Sequence, residues 1–222
     1  MTLTPVARVE NDFTTKFGLP RQSGLNTALL SRIVLEKPFA REDFIRGIGE
    51  WSHLWLIWGF DVPKGGKATV RPPRLGGNER KGVFATRSPF RPNPLGLTVV
   101  RLEGVTASEG SVILTVSGAD MKNGTVIYDI KPYVPYADSV PGALGSFADA
   151  HAGDRIRVVF PDALKASIPA DKLPALIEAL SEDPRPAYQD DPARIYGFEY
   201  AGKDVRFRVE GGVLQVVEIA DI

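Results

Sequence analysis

The chain has no cysteine among its 222 residues and only two histidines, His53 and His151. The first absence excludes disulfides, thiolate nucleophiles and cysteine metal centres. The second leaves too few imidazoles for a histidine site, so no metal is expected. No apolar run approaches the roughly 18 residues of a membrane span, and residues 1–6 lack the basic, apolar and small-residue regions of a signal peptide. A cytoplasmic address without membrane attachment is the expectation. Also missing are a Gly-x-Gly-x-x-Gly turn after a first strand, a phosphate-binding Gly-Lys-Ser/Thr loop and a nucleophile elbow. A cofactor held in a Rossmann crevice is therefore not expected. The formal net charge is zero, which argues against nonspecific coating of nucleic acid.

Zero net charge hides an uneven distribution. Between Asp61 and Arg101 nine basic residues (Lys64, Lys67, Arg71, Arg74, Arg80, Lys81, Arg87, Arg91, Arg101) face two acids, Asp61 and Glu79. Such a run is often only a solvated face, but here it surrounds a stiff loop and points to an anionic partner. The loop is Arg87-Ser88-Pro89-Phe90-Arg91-Pro92-Asn93-Pro94, set between apolar residues 82–85 and 95–100. Its three prolines fix φ and exclude helix, so the guanidinium groups sit on rigid backbone suited to a phosphate, a carboxylate or a base.

Short strand-like segments dominate the first part of the chain, at 6–9, 31–35, 53–58, 67–70, 97–102, 112–116, 125–130 and 155–160, with Gly, Pro and Asn signals between them. That spacing predicts a barrel or sandwich. One helix is expected over 40–48, ended by Gly47 and Gly49. Near residue 160 the texture changes. Residues 171–181 have an acidic start, a proline in the first turn and leucines at helical spacing, and three strands follow near 194–200, 205–210 and 213–219. The expected division is a β-rich unit over 1–160 and a small α+β unit over 161–222.

Three further patches carry chemistry. Residues 17–25 form a glycine-bounded loop with Arg21 and Gln22. Alternation over 51–58 puts Trp51, His53, Trp55 and Ile57 on one side and Leu54, Leu56 and Trp58 on the other, with the tryptophans expected in the core. Asn123-Gly124 is a hairpin turn signal. Beyond it Asp129, Lys131, Tyr133, Tyr136 and Asp138 gather carboxylates, an amine and phenols on proline-stiffened chain, as acid/base work and base stacking require.

Together these residues resemble the TrmO (TsaA-like) family of S-adenosylmethionine-dependent tRNA methyltransferases. The matching segments are Phe17-Gly18-Leu19-Pro20-Arg21-Gln22-Ser23-Gly24-Leu25, Trp51-Ser52-His53-Leu54-Trp55-Leu56-Ile57, residues 70–78, residues 82–97 and Asp129-Ile130-Lys131-Pro132-Tyr133-Val134-Pro135-Tyr136-Ala137-Asp138. Residues 183–188 resemble the C-terminal extension of bacterial members. One departure is visible: Asn123-Gly124-Thr125-Val126 stands where the family usually has Asp-Gly-Thr-Pro, which keeps the turn but loses any Asp carboxylate contact.

The resemblance implies a mainly β fold: a small single-sheet β-barrel, unlike Rossmann methyltransferases, acting as a homodimer with the cofactor beside the subunit interface. It implies a tRNA substrate carrying N6-threonylcarbamoyladenosine at position 37, beside the anticodon, and an N6-methylated product. Carried over by position, Pro20, Arg21, Gln22, His53, Leu54, Arg87, Leu97, Asp120, Met121, Lys122, Asn123, Gly124 and Thr125 are expected to line the S-adenosyl-L-methionine pocket. Arg87 or Arg21 would meet its carboxylate. Arg71, Arg74, Arg91 and Asn93 are expected on the anticodon loop, with Tyr133 or Tyr136 stacking on a base. Asp129, Lys131, Tyr133 and Asp138 are the expected catalytic group: Asp129 or Asp138 would take the N6 proton, and Lys131 or Arg91 would hold the threonyl carboxylate. The rival expectations are another acceptor for the methyl group, or a binding module without catalysis.

Overall fold

The computed structural model describes residues 2–63, 65–72, 79–151, 153–185, 189 and 191–222. Arg74, Lys64 and the segment 75–78 lie outside the described residues. In chain order the elements are β1 (Ala7–Glu10), β2 (Leu30–Leu35), α1 (Glu42–Ile45), β3 (His53–Gly59), β4 (Thr69–Val70), β5 (Lys81–Gly82), β6 (Leu95–Ser108), β7 (Ser111–Ser117) and β8 (Val126–Pro132). Then follow α2 (Pro135–Asp138), β9 (Arg157–Val159), α3 (Asp162–Lys165), α4 (Leu173–Ser181), β10 (Tyr196–Tyr200), β11 (Lys203–Glu210) and β12 (Val213–Asp221).

Six strands close into an antiparallel barrel in the order β1-β2-β7-β6-β3-β8. Alternation makes this possible, because each strand turns every second side chain inward. β3 is the clearest case: Leu54, Leu56 and Trp58 are buried, while His53, Trp55 and Ile57 face outward. They meet Val9, Ile33, Val100, Leu114, Val116 and Ile127 in the barrel core. Gly96 is obligatory there, since a Cβ at that position would lie 2.2 Å from the Trp58 ring.

The helix expected over 40–48 is one turn only. Gly47 takes φ 82°, and a 3₁₀ turn over Ile48–Glu50 leads into β3 instead. The helix expected over 171–181 is α4, with its proline in the first turn. It belongs to a second core with the sheet β10-β11-β12-β9. β9 runs parallel to β12, so the strand expected over 155–160 pairs within the C-terminal sheet rather than with the barrel strands that precede it.

The second core is not made by the C-terminal segment alone. Phe13 and Leu29, both essentially inaccessible, come from the loop between β1 and β2, with Phe17, Leu19 and Ala28 packed alongside. The Phe13 ring lies 4.8 Å from that of Tyr200, and the two residues form a backbone bridge. Asn26 accepts from Leu29 N and donates to Ala175 O, and Lys172 pairs with Asp12 at 2.6 Å. Gly18, at φ 92°, lies so close to Phe198 that a Cβ would sit 2.6 Å from its ring. The loop over 11–29 is thus anchored by one unit and strung from the other.

Phe13→Ala is expected to cost about 3–5 kcal/mol through lost transfer energy and a cavity. Urea denaturation checks it, with Phe13→Leu expected to lose distinctly less.

Candidate functional site

The outer face of β8, β3 and β6 is built by register. Leu97 pairs with Ile57 and Ile57 with Asp129; Val99 pairs with Trp55 and Trp55 with Lys131; Arg101 pairs with His53. Adjacent strands lie about 4.8 Å apart, so these outward side chains form neighbouring rows. Tyr133 joins the last row, its N donating to His53 O at 3.0 Å and its ring 6.1 Å from His53 and 5.9 Å from Trp55. Asp129, Lys131, Tyr133 and Asp138 are therefore brought together. Tyr136, on α2 beside them, is 93% exposed.

The two aspartates there differ in kind. Asp129 pairs with Lys131 at 3.0 Å through Oδ2 and accepts from Ile130 N through Oδ1. Asp138 Oδ2 accepts from both Val134 N and Trp55 Nε1 at 2.8 Å. These bonds, the backbone one foremost, hold its carboxyl below the ordinary range. Of the three tryptophans expected in the core only Trp58 lies there: Trp51 is 40% exposed, and Trp55 is half-exposed and acts as a donor on this face. The alternation placed it opposite Leu54 and Leu56, and that signal outweighs hydrophobicity for an indole with an N–H to satisfy.

A second cluster occupies the barrel end where β7 runs into β8. Arg87 Nη1 donates to Gln22 Oε1 at 2.8 Å. The loop over 118–125 is tied to loop 11–29 by Gly24 N on Gly118 O, Asn123 N on Phe13 O and Asn11 Nδ2 on Met121 O. Gly124 N donates to Val9 O from φ 79°, the left-handed backbone that the Asn-Gly signal requires. Lys122 reaches Asp61 at 3.4 Å.

Asp120 lies at the centre of this end. Its Oδ1 accepts from Thr98 Oγ1 at 2.7 Å, and Thr98 Oγ1 accepts from the buried Trp58 Nε1 at 2.9 Å. Burial pushes the Asp120 carboxyl above its ordinary value, against the pull of the Thr98 hydrogen bond and of the nearby Arg87 charge. Thr98 and Trp58 are the supports that sequence reasoning missed. The only trace of them was an inward-facing Thr and Trp on adjacent apolar strands.

The expected pocket residues therefore separate. Gln22, Arg87 and Asp120 converge, with Lys122, Asn123 and Gly124 beside them. Pro20 is buried in the loop packing, and Arg21 Nη2 donates to the carbonyls of Asp183 and Arg185 at 2.6 and 2.8 Å. Leu54, Met121 and Thr125 are buried, 1%, 1% and 8% exposed as whole residues, so they offer a ligand almost no surface. His53 pairs three residues along β6 from Thr98, roughly 10 Å away. Leu97, 56% exposed, lies on the outer face between the two clusters.

In the proline loop Arg91 turns back on its own chain, Nη1 donating to Thr86 O at 2.7 Å and Val83 O at 3.2 Å. It closes the 3₁₀ turn Val83–Ala85 rather than extending to solvent. Arg71 and Asn93 are exposed. Among the described residues no group of three His, Asp or Glu side chains is arranged to hold a metal ion, and no helix is long and apolar enough to cross a membrane.

Comparison with known proteins places both units. The family model described as the tRNA-methyltransferase O N-terminal domain matches residues 8–139, and the TrmO C-terminal domain model matches residues 154–222. A relative from Escherichia coli K12, named tRNA (adenine(37)-N6)-methyltransferase, is 38% identical over 218 residues, covering 94% of this chain and 93% of its own length. A protein from Archaeoglobus fulgidus, named S-adenosyl-L-methionine-binding protein, is 36% identical over 140 residues, 63% of this chain and 94% of its own. The crystal structure of TrmO from Pseudomonas aeruginosa superimposes with a TM-score of 0.79 at 30% identity, covering 99% of this chain and 98% of that one.

Because burial raises Asp120, the folded chain holds that proton more tightly than the unfolded chain does. The resulting stability is complete below the ordinary carboxylate range and is lost as pH rises through the raised value. Asp120→Asn removes the titration. The melting-temperature difference, variant minus parent, is expected to increase from about pH 3 towards about pH 8; a flat difference contradicts the burial of this charge.

Proposed function

The chain belongs to the tRNA-methyltransferase O family, and we propose that it moves a methyl group from S-adenosyl-L-methionine to N6 of N6-threonylcarbamoyladenosine at tRNA position 37. The observation that carries this reading is the pairing, on one barrel, of a cation–anion cluster at one end with a carboxylate–amine–phenol face beside it. The first suits the zwitterionic end of the cofactor: Arg87 for its carboxylate, Asp120 for its ammonium, Gln22 as the amide between them. The residues present thus fit the group. Arg87 takes this role in preference to Arg21, whose guanidinium is engaged by the 183–185 carbonyls. The bound cofactor supplies a methyl group activated by a sulfonium.

The chain's own part is positioning and proton removal. The N6 nitrogen is one end of a urea and attacks poorly until its proton leaves. Asp129 receives that proton. Asp138 is a weaker base, since two donors already stabilise its ionised form. Lys131, 61% exposed at its side chain, holds the threonyl carboxylate, and Arg91 is left to shape its loop. Tyr133 and Tyr136 present ring faces to the base. Near-attack placement then supplies much of the acceleration. We further propose a homodimer in which a second copy covers the exposed Leu95 and Leu97, closing the side of the cofactor cluster, and a cytoplasmic location, where the tRNA is.

Single-turnover methylation with tRNA carrying or lacking the threonylcarbamoyl group tests the acceptor; activity is expected only on the modified tRNA. Asp129→Asn is expected to slow the methyl-transfer step by about 10²–10⁴-fold with cofactor affinity kept. Arg87→Ala is expected to weaken cofactor binding by roughly ten- to hundredfold. Cofactor binding without any methyl transfer favours a binding module, and equal rates on both tRNAs favour another acceptor.

A further inference from the structure

The proline loop and the β4–β5 ribbon enclose a cleft of about 420 Å³ that the reading above leaves unused. Its lining includes Gly65, Gly66, Ala68, Gly82, Phe84 and Pro92. Added Cβ atoms at Gly65 or Gly82 would meet nothing within 4 Å, so the absence of side chains keeps the space open. Gly66, by contrast, is pressed on the loop: at φ 59° a Cβ would lie 2.9 Å from Pro92 N. Lys67 N donates to Phe90 O at 2.9 Å, and Val83 N to Ala68 O at 3.0 Å, so the walls are laced together. The cleft is formed before any ligand arrives.

Phe84, which lines the cleft, and Phe90, whose carbonyl accepts Lys67 N, are both exposed against the usual preference for burial. Phe84 is 79% exposed and Phe90 39%. Each is accompanied by a cation, Arg91 5.8 Å from the Phe84 ring centroid and Lys67 Nζ 4.8 Å from that of Phe90. Over residues 65–91 the described chain carries Lys67, Arg71, Arg80, Lys81, Arg87 and Arg91 against Glu79 alone. Glu79 is taken by Lys81 at 2.5 Å, which leaves the rim positive. An apolar partner would find no match for that rim, and a simple anion would have no use for the rings. A planar aromatic group that carries phosphates fits both.

We propose that this cleft takes an unpaired nucleotide of the RNA substrate, its base stacked on Phe84 and its phosphates met by Lys67, Arg71 and Arg80. The proposal rests on the RNA-methyltransferase reading and adds to it a stacking site apart from the Asp129–Tyr133 face. The rigidity of the loop serves the recognition, because a preformed platform loses little freedom when a base settles on it.

The test uses the full-length protein and a synthetic anticodon stem-loop RNA, with 2-aminopurine placed in turn at each unpaired position. Phe84→Ala is expected to weaken RNA binding, read by fluorescence anisotropy, by roughly five- to hundredfold. At one loop position it should abolish the quenching of 2-aminopurine seen with the parent. Phe84→Trp should keep both within about twofold, since an indole stacks at least as well. The melting temperature and cofactor affinity of both variants should match the parent, because the ring is exposed. Unchanged RNA affinity in Phe84→Ala overturns the proposal while leaving methyl transfer to tRNA standing. A loss in Phe84→Trp as large as in Phe84→Ala also overturns it, and a parent that binds no RNA overturns both readings. A change in sedimenting mass with RNA affinity intact assigns the cleft to a second copy of the chain, again against the proposal.

Discussion

The seat of Phe13 is the contact on which the rest of this molecule depends. Its ring, with Leu29 from the same loop, completes a core built mainly by the C-terminal unit, while its carbonyl accepts Asn123 N from the barrel-end loop. One residue thus touches both bodies, and Asn26 on Ala175 and Lys172 on Asp12 tie them further. The loop that carries it holds Gln22, and Gln22 is the acceptor for Arg87. Burial of an aromatic ring several residues away is therefore what orients a guanidinium at the candidate site. Arg21, the residue beside Gln22, adds a second restraint by donating to the 183–185 carbonyls. Charge at the site is placed by packing at a remove.

The Trp58–Thr98–Asp120 chain works in the opposite sense. It brings a carboxylate to the barrel mouth at a desolvation cost that hydrogen bonding only partly offsets. Folding alone would be better served by an apolar residue. The cost is intelligible when the carboxylate has a cation to meet, and Arg87 alone, exposed and already sharing Gln22, does not meet that need. Asp138 is the contrast: its bonds to Val134 N and Trp55 Nε1 stabilise the ionised form and brace α2 against β3, a structural use of charge on the outer face of the barrel.

The barrel was legible in the sequence because its strands alternate cleanly, as β3 shows, and because glycines and prolines mark the turns. The family and its activity were legible in the motifs, above all residues 17–25, 82–97 and 129–138. What could not be read was direction. Arg21, Arg87 and Arg91 look equivalent in sequence, yet one clamps the C-terminal segment, one remains at the surface and one folds into its own loop. A guanidinium's partner is set by tertiary contacts that no local pattern encodes. The same holds for β9, whose apolar residues would suit either sheet and which pairs parallel with β12 across a long sequence separation. The shortness of α1 is half-visible in the sequence: Gly47 signals a stop, but the apolar spacing at Phe44, Ile45 and Ile48 overstates how far the helix reaches.

The fit of Gly18 against the Phe198 ring has a consequence for inheritance. The two positions are 180 residues apart in the chain, yet neither can grow without displacing the other. A graft that exchanges the C-terminal unit for a cousin's would have to carry the matching residue 18 with it, or the anchored loop would be levered off its seat. Where both units are present, positions 18 and 198 have to match, even though each unit has its own sheet.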